Sequence, residues 1–440
     1  MRQKYFITTF GCQMNVNDSE VIAGILESIG YESAATIEAA DLVLLNTCCV
    51  RENAENRTFG HIGNLKELKE KKPDLIIGLC GCMAQEANVV EKIRESYPHV
   101  DLVFGTHNLH QLPELLQKVR ETSSRVIEVW DSEGEIHEGL PIKRDETFRA
   151  WVTIMYGCNN FCTYCIVPYV RGRERSRKPE VILETVRDLA ANGVKEVTLL
   201  GQNVNSYGKD IGDGWNFARL LRELAKTDIA RIRFQTSHPK DLSDELIEVI
   251  AAEPKICRHL HLPFQAGSSR ILKLMNRQYT KEQYLELAQK IQQRVTDIAL
   301  TTDIIVGFPG ETDADFNDTL DLVQQVRFDG AFTFIYSPRV GTPAAKMEDP
   351  TPEEVKKERL MKLIEIQNKI SLGKNQNLVG TLQEVLIEGS SEKDAAIWSG
   401  RTSQNKLVHF EPAGQVAIGD LGVVRVTGAK TFTLEGKLLG

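Results

Sequence analysis

The sequence predicts an α/β protein in three parts: an N-terminal open parallel α/β sheet, a central partial (βα)6 TIM-like barrel, and a small C-terminal antiparallel β-barrel. Apolar strands alternate with amphipathic helices at the start, further strand–helix repeats follow a charged linker, and short strands with glycine-bearing turns fill the end. The expected divisions are residues 1–118, a linker at 119–148, 149–374 and 375–440.

The composition is that of a globular cytoplasmic protein. The chain has 440 residues, of which 42 % are hydrophobic and 26 % charged, so it has room for two or three domains. Nine cysteines without an apolar leader favour a reducing compartment in which thiols bind metals. We expect neither export nor a membrane span. The net charge of −8 argues against coating nucleic acid through bulk electrostatics.

The N-terminal part reads as strand–helix repeats. The expected strands are YFITTF, DLVLLN, LIIGL and DLVFG, with helices at 18–29, 52–71 and 84–96. A cysteine follows each of the first three strands; these are Cys12, Cys48 and Cys82. Because ligands bind beyond the carboxyl ends of strands in an open α/β sheet, we expect the three to converge into a metal site.

The other N-terminal cysteines have a weaker claim to a ligand role. Taken singly, a cysteine in such a position is more often a small buried core residue than a ligand. Cys49 directly follows Cys48, and Cys80 lies two residues before Cys82, on the same expected strand face. We interpret Cys49 and Cys80 as packing residues, and the isolated Cys257 likewise.

A second cysteine set lies in the run YGCNNFCTYCIVPY, directly after the strand AWVTIM. Cys158, Cys162 and Cys165 place three thiols within eight residues. Iron–sulfur clusters are usually held by four thiolates, so a triad indicates a four-iron cluster with one iron open to a small ligand. The alternatives are a three-cysteine zinc site with a distant fourth ligand, and chance clustering. The spacing favours iron.

The central part carries six strand–helix units. Pro179, Ser243 and Thr280 signal helix starts between the strands. The expected strands lie near 151–156, 195–201, 231–237, 259–264, 299–306 and 330–337. Barrel enzymes carry their chemistry at the carboxyl ends of strands. Most of these ends combine glycine with polar side chains, although any single glycine there also serves simply to turn the chain. The strand ends in question are residues 157–165, 201–208, 237–239, 265–268 and 307–312.

An arginine run follows the second cysteine set. Arg171, Arg173, Arg175 and Arg177 occupy alternate positions of YVRGRERSRK, which in an extended segment places all four on one side. A charge run is often no more than a solvated face. A guanidinium row beside a metal loop also fits contact with phosphates or with a carboxylate.

The C-terminal part changes in composition. A long helix at about 352–371 precedes short strands from residue 376 onward. About 65 residues of this kind predict a small antiparallel barrel, a class that often binds nucleic acid.

The second cysteine run resembles the signature of the radical S-adenosylmethionine (SAM) family. In that family, three cysteines hold a [4Fe-4S] cluster, and the amino and carboxylate groups of SAM chelate its fourth iron. Tyr164 matches the usual aromatic position. GQNVNSYG resembles the segment near the amino group of SAM, and IIVGFPGE resembles the glycine motif near its adenine and ribose. Besides Tyr164, the resemblance implies cofactor contacts from Gly201, Gln202, Asn203, Ser237, Gly307 and Arg171.

The three parts together resemble the methylthiotransferase family of radical SAM enzymes. TFGCQMN, NTCCVRENAE, GCMAQ and the second cysteine run fit its motifs. The family order is an N-terminal domain with its own cluster, a radical SAM barrel, and a TRAM domain that binds tRNA. The resemblance implies that Cys12, Cys48 and Cys82 hold a first [4Fe-4S] cluster, and that the second cysteine set holds another.

Within the family, the segments CQMN, GQNVNSYG and RGRERSR are most similar to those of the members that act on N6-dimethylallyladenosine in tRNA. These convert N6-dimethylallyladenosine at position 37, beside the anticodon, to its 2-methylthio form. Sister enzymes modify threonylcarbamoyl-adenosine in tRNA or an aspartate of a ribosomal protein, and the chemistry of the residues alone does not separate the three. An alternative from another class is a non-catalytic iron–sulfur protein that binds RNA.

The resemblance also implies a mechanism and partners. One cluster cleaves SAM to a 5′-deoxyadenosyl radical that removes the adenine C2 hydrogen, and the other presents sulfur that a second SAM methylates. The implied partners are the tRNA anticodon stem-loop and a low-potential electron donor such as flavodoxin or ferredoxin. The sequence does not indicate the sulfur source.

Overall fold

The structure is a computed structural model that describes almost the whole chain: residues 2–49, 52–122, 124–132, 134–391, 394–412, 414 and 416–439, with side chains omitted at 52–54. The chain divides into two compact units. Unit 1 comprises Met1–Asp145, Met155–Phe161 and Cys165–Arg177, and unit 2 comprises Glu146–Ile154, Cys162–Tyr164 and Lys178–Gly440. Within the described residues, no helix has both the length and the apolar character needed to cross a membrane.

Strands and helices alternate through most of the chain. The strands are β1 Lys4–Thr9, β2 Glu32–Ser33, β3 Leu42–Thr47, β4 Ile76–Gly81, β5 Leu102–Phe104, β6 Val126–Glu128, β7 Arg149–Thr153, β8 Met155–Tyr156, β9 Arg175–Ser176, β10 Glu196–Leu200, β11 Arg231–Phe234, β12 His259–His261, β13 Ala299–Val306, β14 Gly330–Ile335, β15 Leu382–Ser390, β16 Trp398–Thr402, β17 Leu407–Glu411, β18 Leu421–Ala429 and β19 Thr433–Leu439. The α-helices are α1 Gln13–Ser28, α2 Glu52–Lys71, α3 Ala87–Ser96, α4 Leu112–Thr122, α5 Val167–Arg171, α6 Pro179–Ala191, α7 Phe217–Ala225, α8 Asp244–Ala252, α9 Ser269–Leu274, α10 Lys281–Arg294, α11 Asp313–Val326 and α12 Glu353–Gln376.

Unit 1 is built on a six-stranded parallel sheet in the order β2-β1-β3-β4-β5-β6. The central strands β3 and β4 are buried along their full length, because helices cover both faces of the sheet. One face packs Val43 with Ile77, and the other packs Leu42 with Ile76. The predicted open parallel sheet is confirmed. Its last strand, β6, comes from the charged segment after residue 120.

Two helix starts in unit 1 differ from expectation. Helix α1 begins at Gln13, five residues before the predicted start, because Cys12 adopts an extended conformation and acts as its N-cap. Helix α3 begins at Ala87, after a short 3-10 turn over Met83–Gln85. Helix α4 lies outside the predicted helices, although Leu112, Leu115, Leu116 and Val119 form a buried stripe at helical spacing.

The first half of unit 2 contains the six predicted parallel strands. They form two three-stranded sheets, β11-β10-β7 and β12-β13-β14. An isolated parallel bridge connects Ile232 of β11 to Ile256, just before β12. Capping side chains start several helices as the sequence indicates, and Thr280 and Gln283 form a reciprocal capping box at α10. This confirms the partial (βα)6 barrel.

The second half of unit 2 is a closed five-stranded barrel in the order β15-β16-β17-β19-β18, preceded by α12. Its strand pairs are antiparallel except for β17 and β19, which run parallel. Inward-facing Val385, Val408, Val424 and Leu434 fill the interior at full burial. The predicted small β-barrel is therefore confirmed, with one parallel pair.

Two buried arginines of β11 hold the small barrel. Arg231 donates to the backbone carbonyl of Arg401 at 2.9 Å, and Arg233 donates to that of Thr402 at 3.2 Å. Arg233 also pairs with the buried Glu196 at 3.1 Å. Burial alone would raise the pKa of Glu196, but the neighbouring Arg233 holds that pKa below its usual value. The carboxyl ends of the strands therefore stay clear of this contact.

We expect the Arg233→Met variant to lower the free energy of unfolding by about 3–5 kcal/mol, because it leaves the Glu196 carboxylate buried beside unpaired carbonyls. Urea denaturation followed by circular dichroism measures the loss. The matched control is Arg222→Met, whose partner Glu245 is 41 % exposed and whose loss should cost less than about 1 kcal/mol. Equal losses in the two variants would contradict the role of burial.

Candidate functional site

Three cysteines lie at the carboxyl ends of neighbouring strands in unit 1. Cys48 directly follows β3, Cys82 directly follows β4, and Cys12 lies between β1 and α1. Because β1, β3 and β4 are adjacent in the sheet, the three residues share one edge. None of the nine cysteines, all of which are described, forms a disulfide.

Asn15 connects the surroundings of these cysteines. Its Oδ1 lies 3.5 Å from Sγ of Cys12 and 4.0 Å from Sγ of Cys82. Its Nδ2 donates to the carbonyl of Thr47, the residue before Cys48, at 2.9 Å. At Gly11 a Cβ atom would lie 2.4 Å from the Cβ of Cys48, so the chain before Cys12 passes directly over that side chain. The structure therefore brings Cys12, Cys48 and Cys82 together.

A glycine turn directs Cys82 into this cluster. Gly81 has φ +89°, and a Cβ there would lie 2.4 Å from Oδ1 of Asn46, so the position requires glycine. Because of this turn, the alternation of side chains between the two faces of the strand does not continue from Cys80 to Cys82. Cys80 packs on the Leu42 face of the sheet, whereas Cys82 packs on the Val43 face. The prediction that Cys80 and Cys82 share a face is therefore wrong.

Two neighbours favour the thiolate form of Cys82. A hydrogen bond from Cys49 and the charge of Arg171 lower its pKa to about 6, against the opposing effect of burial. The same hydrogen bond, together with burial, raises the pKa of Cys49 well above its usual value. Cys49 packs in the core as predicted and also hydrogen-bonds Cys82.

Arg171 lies inside this cluster. Its Nε donates to Sγ of Cys82 at 3.1 Å, and its Nη2 donates to Oδ2 of Asp18 at 2.6 Å and to Oδ1 of Asn15 at 3.4 Å. The side chain is only 5 % exposed. Burial opposes the charge, but Asp18 and Cys82 raise the pKa of Arg171 well above its usual value. The sequence singled out Arg171 for a different reason and did not indicate Asp18.

The four arginines do not form a single row. Helix α5 ends at Arg171, and Gly172 follows with φ +75°, so the extended segment expected over Arg171–Arg177 is interrupted. The prediction of one basic side for all four is wrong, because the end of α5 and the turn at Gly172 separate Arg171 from the other three. The other three make separate contacts: Arg173 stacks on the ring of Phe161, Arg175 donates to the carbonyl of Gly134, and Arg177 pairs with Glu138.

The second cysteine run crosses from one unit to the other. In unit 1, Cys158 accepts a hydrogen bond from Nδ2 of Asn160 at 3.4 Å, and Cys165 is half-buried. In unit 2, Cys162 is buried. Phe161, with φ +45°, adopts a left-handed conformation that is unusual for a non-glycine residue and lies between Cys158 and Cys162.

Cys162 has a buried arginine partner within unit 2. Nη1 of Arg277 lies 3.6 Å from Sγ of Cys162, its Nε donates to the hydroxyl of Tyr279 at 2.9 Å, and its Nη2 donates to the carbonyl of Pro263 at 2.8 Å. Burial disfavours this charge, but Tyr279, Tyr164 and Cys162 raise the pKa of Arg277 well above its usual value. No motif in the sequence marks Arg277.

Four buried polar oxygens lie at two neighbouring strand ends of unit 2. Gln202, Asn203 and Asn205 follow β10, and Ser237 follows β11. Oε1 of Gln202, Oδ1 of each asparagine and Oγ of Ser237 have no hydrogen-bond partner among the described residues. Unpaired buried acceptors are costly, so the group fits a polar ligand that donates hydrogen bonds. Asn205 was not predicted as a site residue.

The other predicted cofactor residues of unit 2 are Gly201, at the same strand end as Gln202, and Tyr164 and Gly307. Gly201 is buried directly after β10, and Tyr164 is half-buried. Gly307 has φ +67°, and a Cβ there would lie 2.5 Å from Cγ of Lys356. Its backbone N–H donates to Glu311 at 3.0 Å. Local packing by itself therefore accounts for glycine at position 307.

The cysteine donors fit an iron–sulfur cluster better than a single ion. Among the described residues, no three His, Cys, Asp or Glu side chains are arranged to hold one metal ion. A four-iron cluster binds each cysteine through a different iron, so its ligands stand farther apart than those of a single ion. Soft thiolate donors are the type that such clusters take, and the neighbours of Cys82 lower its pKa.

Three family models match successive parts of the chain. Residues 4–105 match "Uncharacterized protein family UPF0004", residues 152–323 match the Radical SAM superfamily, and residues 376–439 match the TRAM domain. The solved radical S-adenosylmethionine methyltransferase TsrM from Kitasatospora setae is similar in fold. It has a TM-score of 0.57 and 16 % identity over 78 % of this chain and 74 % of that chain.

Curated relatives match the chain along its whole length. One from Acetivibrio thermocellus is 59 % identical over 100 % of this chain and 91 % of its own, and one from Carboxydothermus hydrogenoformans is 57 % identical over 99 % of each. Both carry the name tRNA-2-methylthio-N(6)-dimethylallyladenosine synthase. The chain therefore belongs to the tRNA-2-methylthio-N(6)-dimethylallyladenosine synthase family and is a radical SAM methylthiotransferase, an enzyme that uses SAM with an iron–sulfur cluster.

Proposed function

We propose that the chain adds a methylthio group to C2 of N6-dimethylallyladenosine at position 37 of tRNA, beside the anticodon. The observation that carries the proposal is the full-length identity of 59 % to a relative named for this product. The two relatives described above are both named for this product, and neither is named for the sister substrates, threonylcarbamoyl-adenosine and a ribosomal-protein aspartate. Membership of an enzyme family also decides against a non-catalytic RNA-binding role.

The proposed enzyme binds two [4Fe-4S] clusters and uses two SAM molecules per turnover. Cys12, Cys48 and Cys82 would hold one cluster, and the other would be held by the eight-residue run of Cys158, Cys162 and Cys165. When bound, the clusters supply the radical chemistry of SAM and a site for the transferred sulfur. The chain's own part is to present the cysteine sulfurs; in the first set Cys48 and Cys82 are buried and Cys12 is exposed. Nε of Arg171 donates to Sγ of Cys82, and the Cys49 hydrogen bond and the Arg171 charge lower the pKa of that thiol.

The proposed SAM contacts follow from hydrogen-bond complementarity. The amino group and ribose hydroxyls of SAM are donors, and Gln202, Asn203, Asn205 and Ser237 offer buried acceptor oxygens without partners among the described residues. Asn203 is held in place because its Nδ2 donates to Asp241 at 2.7 Å. Backbone at Gly201 and Gly307 and the ring of Tyr164 would complete the site.

The proposed partners are tRNA and an electron donor. The five-stranded barrel that matches the TRAM domain would bind tRNA, a cytoplasmic substrate. Within the arginine run, Arg173 is exposed and could contact phosphates, whereas Arg171 is buried. Reductive cleavage of SAM requires a low-potential donor such as flavodoxin or ferredoxin. We propose a division at 1–118, 119–148, 149–374 and 375–440 for these roles.

The substrate is tested with the reconstituted enzyme, SAM and reductant. We expect mass spectrometry to show an added methylthio group on tRNA that carries dimethylallyl-adenosine. We expect none on tRNA with threonylcarbamoyl-adenosine or on the ribosomal protein. An added methylthio group on either of these, with none on the first, would overturn the assignment.

The two-cluster proposal is tested by iron content. Replacing Cys12, Cys48 and Cys82 with alanine should reduce iron from about eight to about four atoms per chain. Cys257→Ala is the matched control, because this cysteine is buried in unit 2 beside Glu196 and should leave the iron content unchanged. Iron that stays near eight in the triple variant contradicts the first site.

The SAM contact of Ser237 is tested by binding. Ser237→Ala removes an oxygen that has no partner among the described residues, so the free energy of unfolding should hold steady while SAM affinity falls about tenfold, or ~1.4 kcal/mol. Anaerobic calorimetry with iron-matched samples measures the affinity. Asn192→Ala, an exposed change at the end of α6, serves as the control. Unchanged affinity in Ser237→Ala would remove this residue from the site.

A further inference from the structure

We propose that Arg171 is a positioning residue that orients Cys82 and raises the reduction potential of the cluster bound at Cys12, Cys48 and Cys82, with Asp18 as its counter-ion. The inference rests on the first cluster of the proposed function. It assigns to Arg171 a role in the chemistry of that cluster in place of the predicted contact with phosphates.

The contact geometry gives Arg171 a defined orientation. Its Nε–H points to the sulfur of Cys82 at 3.1 Å, while its Nη2 binds Asp18 at 2.6 Å. A guanidinium is a rigid planar fork, so fixing one edge on a carboxylate fixes the direction of the remaining donor. Nη2 also reaches Oδ1 of Asn15 at 3.4 Å, and this oxygen lies 3.5 Å from Sγ of Cys12. Arg171 therefore contacts the surroundings of two of the three proposed ligands.

The backbone that carries Arg171 is also held in place. Ile166 directly precedes α5, and Val170 lies within it. Both are buried in the same apolar cluster as Cys82 and Leu79. The hydroxyl of Thr106 donates to the carbonyl of Val170 at 2.7 Å. The guanidinium therefore extends from a packed segment and not from a mobile surface arm.

Burial makes these charges effective. Arg171 is 5 % and Asp18 14 % exposed, so water screens the two charges only weakly from the cysteine cluster. Reduction adds an electron, and hence negative charge, to an iron–sulfur cluster. A positive charge and an N–H donor at a ligand sulfur stabilise the reduced form and raise the potential. The carboxylate of Asp18 acts in the opposite direction.

The same short segment connects the two cysteine sets along the chain. Arg171 is the last residue of α5 and lies six positions after Cys165. The short helix α5 therefore connects Cys165, a proposed ligand of the second cluster, to Arg171, which donates a hydrogen bond to Cys82 of the first. A displacement of the chain at Cys165 would therefore move the donor at Cys82. This gives the RGRERSR motif a physical reason to follow the second cysteine run directly.

The test measures the potential of the first cluster alone. In the full chain, Cys158, Cys162 and Cys165 are replaced with alanine, and the remaining cluster is titrated anaerobically with electron paramagnetic resonance as the readout. Arg171→Met should lower the ratio of reduced to oxidised cluster at the parent midpoint about tenfold, or ~59 mV for one electron. Asp18→Asn should raise that ratio. The control Arg173→Gln, which removes an exposed charge stacked on Phe161, should leave it unchanged.

The opposite signs separate an electrostatic role from a structural one. If Arg171 and Asp18 served only to hold the fold, breaking their ion pair from either side would shift the ratio in the same direction, and this result overturns the proposal. If the Arg171→Met variant loses its iron, the Asp18→Asn variant still tests the inference. An unchanged or lower ratio of reduced to oxidised cluster in Asp18→Asn would refute it. A parent variant without any iron would instead refute the proposed first cluster.

Discussion

The interaction on which both cysteine sets depend is a buried guanidinium beside a cysteine sulfur. Arg171 contacts Cys82 in unit 1, and Arg277 contacts Cys162 in unit 2. A thiolate removed from water is unstable without a compensating charge, and arginine supplies one that does not deprotonate. Each arginine is itself held by further partners, Asp18 in one case and Tyr279 in the other.

The strand ends supply the geometry that the cations require. A parallel sheet brings the residues after β3 and β4 to one edge, but only the left-handed turn at Gly81 directs Cys82 toward Arg171. At the corresponding ends in unit 2, buried oxygens of Asn203 and Ser237 lack partners among the described residues. Buried polar groups without hydrogen-bond partners are typical of binding sites, because a bound ligand and not the fold supplies those hydrogen bonds.

Periodicity and motif spacing predicted the three architectural parts, the six central strands and the placement of cysteines after strands. They failed where a single backbone turn changes a side chain's direction. Alternation predicted that Cys80 and Cys82 share a face and that the four arginines form a row, and the positive φ angles of Gly81 and Gly172 break both patterns. Asp18 and Arg277 carry no sequence signal, because their importance arises from contacts with residues 153 and 115 positions away along the chain.

The attachment of the small barrel has a consequence for how freely that barrel can change in sequence. Arg231 and Arg233 hold it largely through the backbone carbonyls of Arg401 and Thr402. A carbonyl is present whatever side chain its residue bears, so substitutions in this stretch of the barrel leave the acceptors in place. The outer surface of this barrel can therefore diversify while its attachment to the (βα)6 barrel stays the same.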